Sequence, residues 1–178
     1  MKKEAYILLH DIRSVFNVGA IFRTADALGI TKIYVSGFSP TPLDRFGNER
    51  KDFVKVSLGA EKTVSWEYVS DPFVLINDLK NKGMQIIAVE QNEKSVDYKE
   101  VNIKMPTLFI FGREVEGIEK DILEKADVIA EIPMMGKKES LNVAVSAGIV
   151  LFRWLDNIPR PSGTPLAKGD FQIFISPD

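Results

Sequence analysis

Short apolar runs alternate along the chain with segments whose apolar residues recur at three- and four-residue spacing. Residues 5–9, 32–35, 85–89, 107–111 and 128–132 have the length and the Ile, Val and Phe content of buried strands. Between them, Val18, Ile21, Phe22, Ala25 and Leu28 form one helical stripe, Phe73, Ile76 and Leu79 a second, and Ile118, Ile122 and Ala126 a third. Strands that are apolar on both faces need cover on both faces. The alternation therefore predicts an α/β domain with a mostly parallel sheet and helices on both faces. Residues 37–52, rich in proline, glycine and charge, predict a long excursion above one end of the sheet. The domain is expected to occupy residues 1–158, with residues 159–178 as a C-terminal extension.

The last helix breaks the amphipathic pattern. Val143, Ala147, Val150, Leu151 and Trp154 fill one side of residues 142–155, while Ala144, Ile149, Phe152 and Leu155 populate the others. A helix apolar nearly all round is expected to be buried on most faces, against the sheet and in a subunit interface.

Composition narrows the function classes. With 178 residues, 45% hydrophobic and 27% charged, the chain suits one globular domain and excludes a coiled coil or a disordered tail. Lys plus Arg number 23 against 25 Asp plus Glu, which excludes a surface that grips nucleic acid everywhere but leaves room for local basic patches. Two are candidates: Arg45, Arg50, Lys51 and Lys55, and the trio Arg13, Lys137 and Lys138. The absence of cysteine excludes thiolate zinc sites and cysteine nucleophiles, and the single His10 leaves no histidine cluster, so no metal site is expected. The apolar run at residues 5–9 is too short for a secretory or membrane segment, and a cytoplasmic protein is expected.

Three segments combine a strand end with polar chemistry. In the first, residues 10–26, Asn17 is the expected N-cap of the following helix, and Arg23 falls opposite the apolar stripe. Its side chain leans toward position i−4, which is Gly19, leaving a path to the strand-to-helix turn where open α/β sheets bind ligands. The alternative is a surface pair between Arg23 and Asp26. In the second segment, residues 109–118, Gly112 and Gly117 bracket a loop carrying Glu114 and Glu116, without a dinucleotide or Walker fingerprint. In the third, residues 132–147, Pro133 and Gly136 lead into Ser140-Leu141-Asn142, which caps the apolar helix. Cap and turn chemistry accounts for each segment singly, but not for three strand-end loops that each present Gly or Asn beside an exposed polar group.

In order and spacing the three segments resemble the motifs of the SpoU/TrmH branch of the SPOUT methyltransferases. The resemblance rests on residues 17–25, on the Gly112, Glu114, Gly117 loop, and on residues 132–134 with 140–143. It implies an S-adenosylmethionine-dependent RNA methyltransferase acting on a ribose 2′-hydroxyl of tRNA or rRNA. It also implies a C-terminal deep trefoil knot over about residues 107–155, a fold that general topology rules would reject, and a homodimer in which Arg23 completes the partner's site. Asn17, Arg23, Glu114, Ser140 and Asn142 match the family's catalytic positions. Val89, Gly112, Ile132 and Leu141 match its cofactor loops; many relatives carry threonine in place of Val89, so any contribution there comes from backbone. A guanidinium is always protonated and cannot be a literal base. The implied role of Arg23 is to grip the adjacent phosphate and stabilise the developing alkoxide, the proton passing to phosphate, water or Glu114. Without a recognisable RNA-binding domain, recognition would fall to the dimer surface, these loops or a helper protein. The competing readings are a non-catalytic RNA-binding or assembly protein that retains the fold, and an enzyme for a small nucleotide or antibiotic-related substrate.

Overall fold

The computed structural model describes residues 4–157, and the extension expected at residues 159–178 lies outside them. The elements run β1 (Ala5–His10), α1 (Val15–Leu28), β2 (Lys32–Ser36), α2 (Lys51–Ser57), α3 (Ala60–Thr63), β3 (Trp66–Val69), α4 (Pro72–Asn81), β4 (Gln85–Val89), β5 (Val96–Asp97), β6 (Thr107–Phe111), α5 (Lys120–Leu123), β7 (Val128–Glu131) and α6 (Val143–Asn157). Seven strands form one sheet in the order β3-β2-β1-β6-β4-β7-β5, and every strand pairing in it is parallel.

The continuous apolar runs are explained by a core on each face of this sheet. Successive residues of a strand point to opposite faces, and Ile7, Leu9, Ile87, Phe109 and Phe111 join the core beneath α1, α2 and α6. Their neighbours Leu8, Ile86, Ala88, Leu108 and Ile110 join the opposite core, beneath α4 and α5. In the central register Ile7 lies beside Ile33 on one strand and Phe109 on the other. Because all strands are parallel, their carboxyl ends share one edge, and the loops at residues 11–14, 37–50, 112–119 and 132–142 leave from it.

Several expectations are corrected. Helix α1 starts earlier than its stripe: Ser14, not Asn17, is the N-cap, its hydroxyl accepting the Asn17 N–H at 3.3 Å. The third stripe is not a full helix; only residues 120–123 are helical, yet Ile118 and Ile122 are both buried and Ala126 packs against the same core. Gly19 does not open a path for Arg23. It lies against α2, where a Cβ would meet the Cβ of Val56 at 2.9 Å, so its missing side chain lets two helices approach. The structure also adds β3, β5, α2 and α3, none of which the periodicity predicts. Helix α6 buries Ala147, Val150, Leu151 and Trp154 against α1 and the sheet, while Val145 and Phe152 remain 51% and 41% exposed. Within one chain α6 is covered on its side toward α1 and the sheet, and Val145 and Phe152 stay uncovered.

The Gly19–Val56 contact makes a stability prediction. Gly19→Val overpacks the α1–α2 interface and is expected to cost about 1–3 kcal/mol, read as a lower urea midpoint at unchanged slope. Gly19→Ala should cost less, because the gain of roughly 1 kcal/mol in helix propensity offsets part of the clash. Adding Val56→Ala should recover most of the loss in either background.

Candidate active site

The carboxyl ends of β4, β6 and β7 bound a cleft of about 350 Å³ lined by Val89, Gly112, Glu114, Ile132, Ser140 and Leu141 together with Glu90, Arg113, Glu116, Glu131, Met134 and Glu139. This is the edge at which parallel α/β sheets bind ligands. The cleft gathers six of the nine residues expected from sequence, including all four assigned to a cofactor.

Two more reach it through hydrogen bonds. The Asn17 side-chain amide donates to Glu114 Oε1 at 2.9 Å, and the Asn142 amide donates to Asn17 Oδ1 at 3.0 Å. Asn142 Oδ1 accepts the N–H of Ala144 at 2.9 Å and caps α6, as its position before the helix predicts. Glu114 also accepts the N–H groups of Arg13 and Ser14, each at 3.2 Å. Partial burial pushes the Glu114 carboxyl up, but the Asn17 amide and the backbone N–H groups outweigh it and hold the group below its usual value. These donors favour the ionised carboxylate, which acts as an acceptor for the groups around it.

Arg23 stands apart. It is exposed on α1 and, among the described residues, has no ion-pair partner within 4 Å. The expected alternative, a pair with Asp26, does not form; Asp26 instead accepts from the Thr63 hydroxyl. Of the basic candidates, Arg50 is tied to Asp52 at 2.7 Å and Arg13 lies 3.7 Å from Glu116, while Lys51, Lys55, Lys137 and Lys138 are exposed.

The sequence reading missed two supports of the site. Glu90 accepts the Ile118 N–H at 2.9 Å. A Cβ at Gly117, whose φ is +72°, would run into that carboxylate, so glycine is required there by both conformation and space. Asp11 binds the Arg113 guanidinium, whose Nε donates at 3.0 Å, and Arg113 is also 2.9 Å from Glu119. His10, Asp11 and Glu119 converge closely enough to hold a cation, but Arg113 already supplies positive charge between the two carboxylates. A charged residue directly after a strand end was the only available signal for either support.

The cleft combines an apolar wall, from Val89, Ile132, Met134 and Leu141, with five carboxylates and one guanidinium already paired to carboxylates. Such a lining suits a ligand with a flat apolar part and a cationic centre. A parallel sheet with a strand-end cleft of this kind places the chain among α/β proteins that bind a ligand at the carboxyl edge of the sheet. Residues 4–152 match the SpoU rRNA Methylase family, and the chain belongs to it and is a methyltransferase. It is 32% identical over 151 residues to the tRNA (guanosine(18)-2'-O)-methyltransferase of Aquifex aeolicus, the match covering 85% of this chain and 68% of the relative. The solved A. aeolicus TrmH/SpoU tRNA modifying enzyme superposes with a TM-score of 0.77 at 30% identity, over 88% of this chain and 76% of that one. An AdoMet-bound rRNA methyltransferase from Sinorhizobium meliloti superposes with a TM-score of 0.79 at 27% identity, over 89% of this chain and 59% of that one. Family membership supports the catalytic reading over the non-catalytic alternative.

The lowered pKa of Glu114 gives a pH prediction. A carboxyl whose folded pKa lies below its unfolded value contributes stability that is present above the unfolded value and lost as pH falls through the folded one. The difference in unfolding free energy between wild type and Glu114→Gln should be constant at neutral pH and shrink below about the usual 4.5. Urea titrations at several pH values check this; a difference independent of pH would contradict it.

Proposed function

We propose that the chain transfers a methyl group from S-adenosylmethionine to a ribose 2′-hydroxyl of tRNA or rRNA. The observation that carries the reading is the single hydrogen-bond chain Glu114–Asn17–Asn142 at the mouth of a cleft whose lining suits a sulfonium cofactor. Bound there, S-adenosylmethionine supplies the electrophilic methyl. Gly112, Ile132 and Leu141, with the backbone at Val89, hold it, and the carboxylates of the cleft favour its positive groups. Asn17, Ser140 and Asn142 orient the ribose. The hydroxyl proton passes to the adjacent phosphate, to water or to Glu114.

In this reading Arg23 stabilises the developing alkoxide and grips the neighbouring phosphate. Its place on the outer face of α1, without a partner among the described residues, fits service to the cleft of a second subunit in a homodimer. The exposed Val145 and Phe152 of α6 and the 68% exposed Phe16 of α1 supply apolar surface for that contact. The deep trefoil knot belongs to the same proposal. So do a methyltransferase domain of residues 1–158 with a separate extension, a cytoplasmic setting, and RNA recognition by the dimer surface, the strand-end loops or a helper protein. Among the described residues, no helix is long and apolar enough to cross a membrane.

Arg23→Ala is expected to leave folding and S-adenosylmethionine affinity unchanged while cutting turnover by about 10²-fold or more. Lysine at this position should rescue only partly, since a point charge cannot reproduce the bidentate fork. Mixed dimers of Arg23→Ala with Asn142→Ala subunits should regain activity if Arg23 acts across the interface, because one of the two sites is then intact. Calorimetry should show one cofactor site per subunit and competition by S-adenosylhomocysteine. Full turnover in the Arg23→Ala homodimer would overturn the role of Arg23, and absence of cofactor binding to folded protein would overturn the reaction.

A further inference from the structure

Phe38 is 82% exposed, yet the backbone that carries it is held by side chains on either side. Its N–H donates to Asp11 Oδ1 at 2.8 Å. On one side, Gly37 has φ +61°, and a Cβ there would collide with the Asp11 carboxylate. On the other, Ser39 is buried, its hydroxyl donating to the Leu9 carbonyl at 3.1 Å and accepting the Ile12 N–H at 2.9 Å. The half-exposed Tyr68 donates its hydroxyl to the Gly37 carbonyl at 3.3 Å, placing a second aromatic residue against the same turn. A lone exposed phenylalanine on a loose loop needs no explanation. Here the backbone on both sides of the ring is fixed, by the buried Ser39 hydroxyl on one side and by Asp11 and Tyr68 on the other, so little backbone freedom is lost when the exposed ring is used as a contact surface.

The position of the ring identifies its occupant. Asp11, which holds the Phe38 amide, also binds Arg113, and Arg113 lines the cleft. The backbone that carries the ring is therefore tied through one ion pair to the wall of the cleft. The loops at the same sheet edge carry the exposed cations Arg13, Lys137 and Lys138, which complement a polyanion. We propose that Phe38 is a stacking platform for an unpaired nucleobase of the RNA substrate, next to the nucleotide whose ribose enters the cleft. The inference rests on the ribose-methylation reading and adds to it where the flanking nucleotide is held. Stacking on an aromatic face is tolerant of sequence and strong enough to set the register of a strand.

The test uses the full chain with S-adenosylhomocysteine and a labelled oligoadenylate, followed by anisotropy, and methyl transfer to bulk unmodified tRNA and rRNA. Phe38→Ala should weaken oligoadenylate binding by roughly tenfold and raise KM for RNA, with kcat at saturation and cofactor affinity unchanged. Phe38→Leu, apolar but without a π-face, should behave like alanine. Phe38→Trp should keep wild-type affinity and add a fluorescence that oligoadenylate quenches. Wild-type behaviour of Phe38→Ala in an active enzyme overturns the stacking role alone, as does full replacement by leucine. A change confined to oligomeric state by light scattering overturns it too, and makes the ring a contact for a second copy. A wild type that binds cofactor and methylates no RNA overturns the ribose reading and the stacking role with it.

Discussion

Three strand-end loops far apart in sequence are tied together by one directional chain of hydrogen bonds, with Glu114 97 residues from Asn17 and Asn17 125 residues from Asn142. Ionised, Glu114 can only accept, so it takes the Nδ2 group of Asn17 and turns the Asn17 carbonyl oxygen outward. That oxygen in turn takes the Nδ2 group of Asn142. The Asn142 carbonyl oxygen is then left to cap α6. Each exposed bond is worth only about 1 kcal/mol, so the chain matters less for stability than for register. One charge fixes the orientation of two amides and, through the second, the start of the helix that covers the sheet. Protonating Glu114 would put a donor where Asn17 also donates and remove the reason for the whole orientation. The Asn17 amide and the backbone N–H groups of Arg13 and Ser14, all donating to the carboxylate, favour its ionised form.

The same economy appears in the capping of the two principal helices. Because Ser14 caps α1, Asn17 falls in the first helical turn with its side chain free to reach Glu114. Were Asn17 the cap, its oxygen would face the backbone N–H groups of its own helix and not the Asn142 amide. Asn142 does both tasks, since capping uses its oxygen and the site uses its nitrogen. Helix start points and site geometry are thus set by the same few polar atoms, and the parallel sheet brings them to one edge.

Much of the fold was legible in the sequence, because strands apolar on both faces read as continuous runs: β4 and β6 fall at the expected residues, and β1, β2 and β7 within one residue. The elements that escaped are those without such burial. β3 has no buried residue and lies at the sheet edge, β5 is two residues long, and α2 begins inside a polar stretch. Residue types and strand-end placement pointed to the site, but the hydrogen-bond chain joining Glu114, Asn17 and Asn142 could not be read, since no local pattern encodes a contact across 125 residues. The Asn17 cap was misassigned because two cap-competent residues precede the apolar stripe. The Gly19 path failed because the neighbouring helix, which takes that space, has no periodicity strong enough to announce it.

A net charge of −2 sits awkwardly with an RNA substrate until the charges are placed. Carboxylates from Glu90, Glu114, Glu116, Glu131 and Glu139 line the cleft, whereas Lys137 and Lys138 are exposed on the loop that closes one side of it and Arg13 on the loop beside Glu114. Exposed charges are screened over about 8 Å at physiological salt, so a ligand at the rim responds to local sign and not to the total. In the proposed reading the cationic cofactor meets the acid lining, and the phosphates of the RNA pass over the basic rim. The acid lining also repels a phosphate backbone from the cofactor end of the cleft, leaving the ribose hydroxyl as the part of the nucleotide that can approach. The acidic composition then serves to separate two ligands of opposite charge across one narrow cleft.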